Sequence, residues 1–161
     1  MMRAESRNRP SLRRGAGQAR RGAATVEFAV VAPFLFALLL GMVDIGQLAN
    51  VGQAVSGASA LGGRLAAKAD TDTVDDVESR VAGYLADRFP ALSSEALASA
   101  LEVTVADSAG TVLSGAALDG LDPGSPVSIR VAFRFDAVRW LGGIGAGQGR
   151  VLQTTTVVRR E

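Results

Sequence analysis

Gly22-Ala-Ala-Thr-Val-Glu27-Phe28 opens the stretch whose reading decides the fold. From Phe28 to Val43 no residue is charged, and Val30, Val31, Phe34, Leu35, Leu38 and Met42 are typical of its content. Asp44 closes the run. Counted from Ala23 to Ile45, an α-helix at ~1.5 Å per residue reaches roughly 34 Å. A bilayer core of ~30 Å needs about 20 mostly apolar residues. The run is long enough to span a membrane, and Glu27, near its start, is the one acid before Asp44 closes it.

On the N-terminal side lie seven arginines, from Arg3 to Arg21, against one acid, Glu5. The whole chain has a formal net charge of +1, so this tail is offset by an acidic remainder. A basic tail before an apolar run places the tail in the cytoplasm by the positive-inside rule. A nucleic-acid arm is the weaker reading, because no aromatic residue is interleaved with the arginines. Residues 1–22, with Pro10, Gly15 and Gly17 and no apolar period, read as a basic leader. The pairs Arg13-Arg14 and Arg20-Arg21 lack the following residues of a twin-arginine signal. A conventional signal peptide has a shorter apolar region ending at a small-residue cleavage site. Here the nearest such pattern, Ala58-Ser59-Ala60, lies well beyond Asp44.

The chain contains no cysteine and no histidine. Disulfides, thiolate nucleophiles, Cys/His zinc sites and histidine bases are thereby excluded.

The residues from Arg20 to Gly46 resemble the opening of TadE-like pseudopilins of the tight-adherence (Flp) pilus system. Arg-Arg-Gly-Ala-Ala-Thr-Val-Glu-Phe-Ala-Val-Val-Ala-Pro-Phe-Leu carries the likeness. More broadly it is similar to the processing site of type IV pilin-like proteins. There a prepilin peptidase cuts after a glycine, and a glutamate stands fifth in the mature chain. The resemblance implies Gly22 as that glycine, Ala23 as the new N-terminus and Glu27 as the assembly glutamate. Pro33, Gly41, Asp44 and Gly46 stand where the family tends to carry a proline, a glycine, an acid and a glycine. Gln47 replaces a more usual basic residue.

Two of these residues have plainer readings as well. An acid in the first turn of a helix is favoured by the helix dipole, by about 0.3–1 kcal/mol when exposed. Yet an ionisable group within a span is by default a functional one. Pro33 removes a backbone hydrogen bond and kinks a helix. It is either a tolerated kink or a place where the helix loosens on packing.

Beyond Asp44, Leu48, Val51, Val55, Leu61 and Leu65 recur at helical spacing and extend the helix to about Lys68. Ala54, Ala58, Gly62 and Ala66, each four apart, form a small-residue row that lets helices approach closely. The plain alternative is an Ala/Gly-rich chain with no such role. Glycines in a helix interior each cost roughly 1 kcal/mol against alanine, so the segment needs partners to hold it. Thr73-Val-Asp-Asp76 reads as a capping box, followed by a helix from Val74 to Phe89 that Pro90 ends. Ser94 to Ala100 is a short helix. Leu101 to Val105 alternates as a strand, and Thr111 to Leu113 is placed as its hairpin return. Val127 to Phe135 is the clearest strand, with one buried face. Trp140, a glycine-rich loop from Gly142 to Gly149, and a last strand from Val151 to Val158 follow.

That loop lacks the lysine and the spacing of either phosphate-binding glycine motif. Asp70, Asp72, Asp75 and Asp76 miss the spacing of a calcium loop. The expectation is an α+β protein: a leader (1–22), a transmembrane helix (23–45), a helical extension (46–68) and an extracytoplasmic domain (69–161) with a short helix and an antiparallel sheet. What the resemblance implies is a minor pseudopilin in the cell membrane, with a prepilin peptidase, other pilins and the pilus assembly machinery as partners. No enzyme activity, cofactor, metal, nucleic acid or small-molecule substrate is expected. The rival reading is an unprocessed, membrane-anchored binding domain.

Overall fold

The computed structural model describes residues 16–68, 70–71, 73–139 and 149–161, with side chains from residue 22 onward. The basic leader before Ala16, Trp140 and most of the glycine-rich loop lie outside the described residues. Among the described residues three helices and three strands follow in the order α1 (Ala16–Ala67), α2 (Val74–Arg88), α3 (Ser94–Ala100), β1 (Leu101–Ala106), β2 (Pro126–Arg134) and β3 (Val151–Arg159). Short 3-10 turns occupy Gly115–Leu118 and Phe135–Val138. The fold is α+β.

The first helix starts earlier than the leader boundary suggests, at Ala16 rather than Ala23. Ala16, Gln18, Ala19, Arg20 and Arg21 are good helix formers, and no proline interrupts them. Pro33 is accommodated inside α1. Within α1 the chain divides into two compact units, one ending at Leu40 and the other running from Gly41 to Glu161.

The second unit is a two-layer arrangement. β2 is the central strand, antiparallel to β1 on one side and to β3 on the other. Its alternating side chains put Val127, Ile129, Val131 and Phe133 on one face, all fully buried. Register extends that face across the sheet. Leu101, Phe133 and Leu152 form one row; Val103, Val131 and Thr154 the next; Val105, Ile129 and Thr156 the third. The C-terminal half of α1 covers these rows. Ser56, Ser59 and Gly63 meet Thr154, Thr156 and Val158 in turn. The helix therefore runs in the same direction as β3. On the opposite face Glu102, Arg130, Gln153 and Thr155 are exposed, as expected of an antiparallel sheet with one solvated side.

Local chemistry sets the remaining boundaries. Thr73 caps α2: its hydroxyl accepts from the Asp76 amide at 3.2 Å and donates to the Asp76 carboxylate at 2.8 Å. The second contact replaces the longer reach of a capping-box glutamate. Val74, Val77, Val81 and Leu85 form the buried stripe of α2. The helix ends at Arg88, Phe89 is its C-cap, and the Phe89 ring stacks on Phe133 at 5.6 Å. Ser93 caps α3 through the Ala96 amide.

The expected hairpin after β1 forms but is short: Ala106 bridges Val112, the Asp107 amide donates to the Thr111 carbonyl at 3.0 Å, and the Leu113 amide donates to the Val105 carbonyl at 2.8 Å. Gly115, at φ +58°, then turns the chain into a 3-10 turn that buries Leu118. Burial of that leucine diverts the segment from the sheet, and β2 supplies the full-length partner of β1.

Replacing Val131 with Asp puts an uncompensated charge between sheet and helices, so it should cost several kcal/mol. Arg130→Ser, on the solvated face, should change stability by less than about 1 kcal/mol. Denaturant unfolding of the full chain in detergent distinguishes the two; equal tolerance of both would refute this core.

Candidate functional site

Gly22, Ala23 and Glu27 lie on consecutive turns of α1, and all three are exposed. Four residues separate Ala23 from Glu27, which puts them on one face of the helix, a single turn apart. A Cβ built on Gly22 meets no heavy atom within 4 Å. The chain's own packing therefore does not require glycine there, although glycine weakens a helix.

The apolar run behind this motif is uncovered. Val26, Phe28, Phe34 and Met42 are each 65–70 % exposed. A helix segment with this much exposed apolar surface calls for an apolar surrounding. By length and composition α1 can cross a membrane.

At Asp44 the environment changes completely. The Asp44 carboxylate is buried and accepts from Arg139 Nε at 3.3 Å, with the two side chains 6 % and 3 % exposed. One turn on, the Gln47 amide donates to the Val138 carbonyl at 3.0 Å. The departure from a basic residue at position 47 thus supplies a neutral donor to a backbone acceptor. Sequence reasoning placed Asp44 as the end of the apolar run and as an acid that the resembled family tends to carry there. Arg139 lies far along the chain, and no local pattern marks it as the partner.

The small-residue row has an occupant within the chain. Ala54, Ala58, Gly62 and Ala66 are buried in the second unit. A Cβ on Gly62 would sit 3.1 Å from methyls of both Ile129 and Val81, and one on Gly63 would sit 2.9 Å from Thr156. Close helix approach does occur, against α2 and the sheet. The partners that hold this glycine-rich segment are the chain's own.

Arg160 was missed entirely by sequence reasoning. Its guanidinium is buried and donates to the carbonyls of Ala66, Lys68 and Thr71 at 2.8–3.2 Å. These include carbonyls at the C-terminal end of α1, where a cation is favoured by the helix dipole. The Glu161 amide adds a bond to the Ala67 carbonyl.

Among the described residues no group of acids is arranged to hold a metal ion. Residues 22–64 match the family model described as TadE-like protein. This segment is TadE-like. The match covers the motif, the apolar run and most of the small-residue row. Neither the curated proteins nor the solved structures searched gave a match.

Removing one partner of a buried ion pair is strongly destabilising, at ~3–5 kcal/mol. Arg139→Met should therefore destabilise the second unit strongly. The double variant Asp44→Leu with Arg139→Met should recover most of that loss. Denaturant midpoints of the three full-length variants test this; a double variant as unstable as the single one would show that the pair is not the dominant interaction.

Proposed function

We propose that this chain is a minor pseudopilin that assists assembly of a tight-adherence pilus. It is held by one membrane helix, with its N-terminus cytoplasmic and its α+β domain outside. In this reading a prepilin peptidase cuts after Gly22, and the role is structural rather than enzymatic. The observation that carries it is Gly22 itself. The residue lies in a TadE-like segment, one turn before an exposed glutamate, at a helical position where the chain's own packing has no use for glycine.

The chemistry follows from the cut. Hydrolysis of the Gly22–Ala23 bond frees an ammonium on Ala23 at the edge of a low-dielectric layer, where lone charges are costly. Glu27, one turn on, offsets that charge in its own chain or from a neighbouring helix. Opposite charges ~4 Å apart attract by about 4 kcal/mol at an effective dielectric near 20, before desolvation is subtracted. That attraction exists only after processing and would couple processing to assembly. One observation favours the unprocessed-anchor alternative: α1 runs unbroken through Gly22, and proteolysis favours unfolded segments. The peptidase would have to unwind the first turns.

Intact mass and co-purification with other pilins, from a host with an active prepilin peptidase, separate the two readings. Wild type should begin at Ala23. Gly22→Leu should retain the leader. Glu27→Gln should be cut but lose association with other pilins. A wild-type chain that keeps its leader, with Glu27→Gln assembling normally, would favour the unprocessed anchor. A reporter placed after Glu161 should be active only outside the cytoplasm, as the arginine excess before the span requires.

A further inference from the structure

The two outer edges of the sheet differ. On β1 the Val105 carbonyl accepts from the Leu113 amide, and the Asp107 amide donates to the Thr111 carbonyl. Odd-numbered residues of β1 therefore present their backbone groups to the outer edge. The return over residues 111–113 covers that edge from Val105 onward. Before it, the Leu101 carbonyl and the Val103 amide and carbonyl have no backbone partner among the described residues. Beside them runs a groove of about 370 Å³, lined by Leu101, Val103, Ser79, Ala82, Asp75 and Glu78.

On β3 the Arg150 carbonyl accepts from the Phe135 amide, and the Arg160 amide donates to the Ser125 carbonyl. Even-numbered residues thus face β2, and Val151, Gln153, Thr155, Val157 and Arg159 turn their amides and carbonyls outward. None of these groups has a backbone partner among the described residues. Natural edge strands are blunted by charge, proline, a bulge or shortness. β3 has nine residues and pairs with β2 without a bulge. It contains no proline and carries no charge before Arg159.

We propose that β3 of one copy adds to β1 of the next, extending the sheet head to tail between copies of this chain. β1 and β3 both run antiparallel to β2, so copies in a common orientation meet in a parallel pair. With the copies level, Val103 of the next copy stands opposite Thr154, since both share a row with Val131. The Val103 amide then donates to the Gln153 carbonyl, and the Val103 carbonyl accepts from the Thr155 amide. The Leu101 carbonyl accepts from the Gln153 amide. This is the slanted pattern of parallel strands, and it uses each of the open groups on β1.

Charge selects this pairing over a two-fold pairing of β3 with itself. Arg64 is exposed and follows Gly63, which packs beside Val158. Asp75 lies in the first turn of α2 at the same end of the unit, just after Thr71, whose carbonyl accepts from Arg160. Arg64, Asp75 and Glu78 have no ion pair among the described residues. Head-to-tail addition brings the cation of one copy beside the carboxylates of the next. Pairing β3 with itself would leave the groove and its acids unoccupied. The contact is heterologous, so it closes into a ring or grows as a filament. It goes beyond the pseudopilin reading and needs neither the cut after Gly22 nor other pilins.

The chain has no native cysteine. In the level register Glu102 of the next copy stands opposite Gln153, and both residues are exposed. Within one copy they flank Ala132 on separate strands. At ~4.8 Å per strand they are about 9.6 Å apart, beyond disulfide reach. Mild oxidation of the full-length Glu102→Cys, Gln153→Cys double variant in detergent should give linked dimers and larger multimers, at least tenfold above either single variant. Glu78→Lys in that background should lower the linked fraction at least threefold, and adding Arg64→Glu should restore it. In wild type the Gln153 and Thr155 amides should exchange quickly in dilute protein and slow at least tenfold as multimers form. Absence of linkage in the double variant overturns the proposal. So does equal linkage by Gln153→Cys alone, which would mark two β3 edges paired with each other. Failure of Arg64→Glu to restore linkage overturns the charge match, and with it the choice of partner. Slow exchange in the dilute monomer would show the edge covered by its own chain and would overturn the proposal as well.

Discussion

The second unit depends on how closely α1 approaches the sheet and α2. Between Ala54 and Ala66 the buried face of that helix is mostly Ala, Ser and Gly, with Val55 its large fully buried side chain. Val77 and Val81 of α2 and Ile129 of β2 fill the space a larger residue would take. Helix axes usually pack 8–10 Å apart, with the distance set by the side chains at the contact. Alanine and glycine here allow the short end of that range. The resulting density matters because a domain of this size has only a small core.

The glycines of this helix fall into two sets. Gly57, Gly62 and Gly63 have neighbours that a methyl group would strike: Tyr84, Ile129 with Val81, and Thr156 with Val158. Gly22, Gly41, Gly46 and Gly52 have none within 4 Å. The first set is explained by folding of this chain. For the second set, intramolecular packing offers no reason to accept the helix-propensity loss, which turns attention to lipid, peptidase or neighbouring subunits.

Much of this was legible in the sequence because the signals were local. The Val127–Phe135 alternation, the Thr73 cap and the α2 stripe each lie within one element, and each element formed within a residue or two of its expected bounds. The small-residue row was also visible, but its partner was not. Periodicity specifies a face and not what covers it, and the covering residues lie well apart from it in sequence. The same holds for Arg139 and Arg160, whose roles depend on contacts spanning more than ninety residues. The hairpin expected at Thr111 forms but stays short, for a related reason. Three strand-forming residues compete there with burial of Leu118, a choice that only tertiary packing settles.

The polar contacts answer a difficulty that the small-residue row creates. A row repeating every fourth residue looks nearly the same after a shift of one helical turn, about 5.4 Å. Close packing alone would leave α1 weakly registered against the sheet. The buried hydroxyl of Ser59 breaks that degeneracy, bonding to Thr156 at 2.8 Å and to the Ile129 carbonyl at 3.3 Å. Asp44 with Arg139 fixes one end of the contact, and Arg160 on the last turn of α1 fixes the other. A slip of one turn would separate all three sets and leave buried polar groups without partners, each at roughly 1–3 kcal/mol or more where charged. A buried ion pair adds little net stability compared with apolar residues of the same volume, and its best-attested use is to specify register. Here that register fixes which residues of α1 lie against β2 and β3.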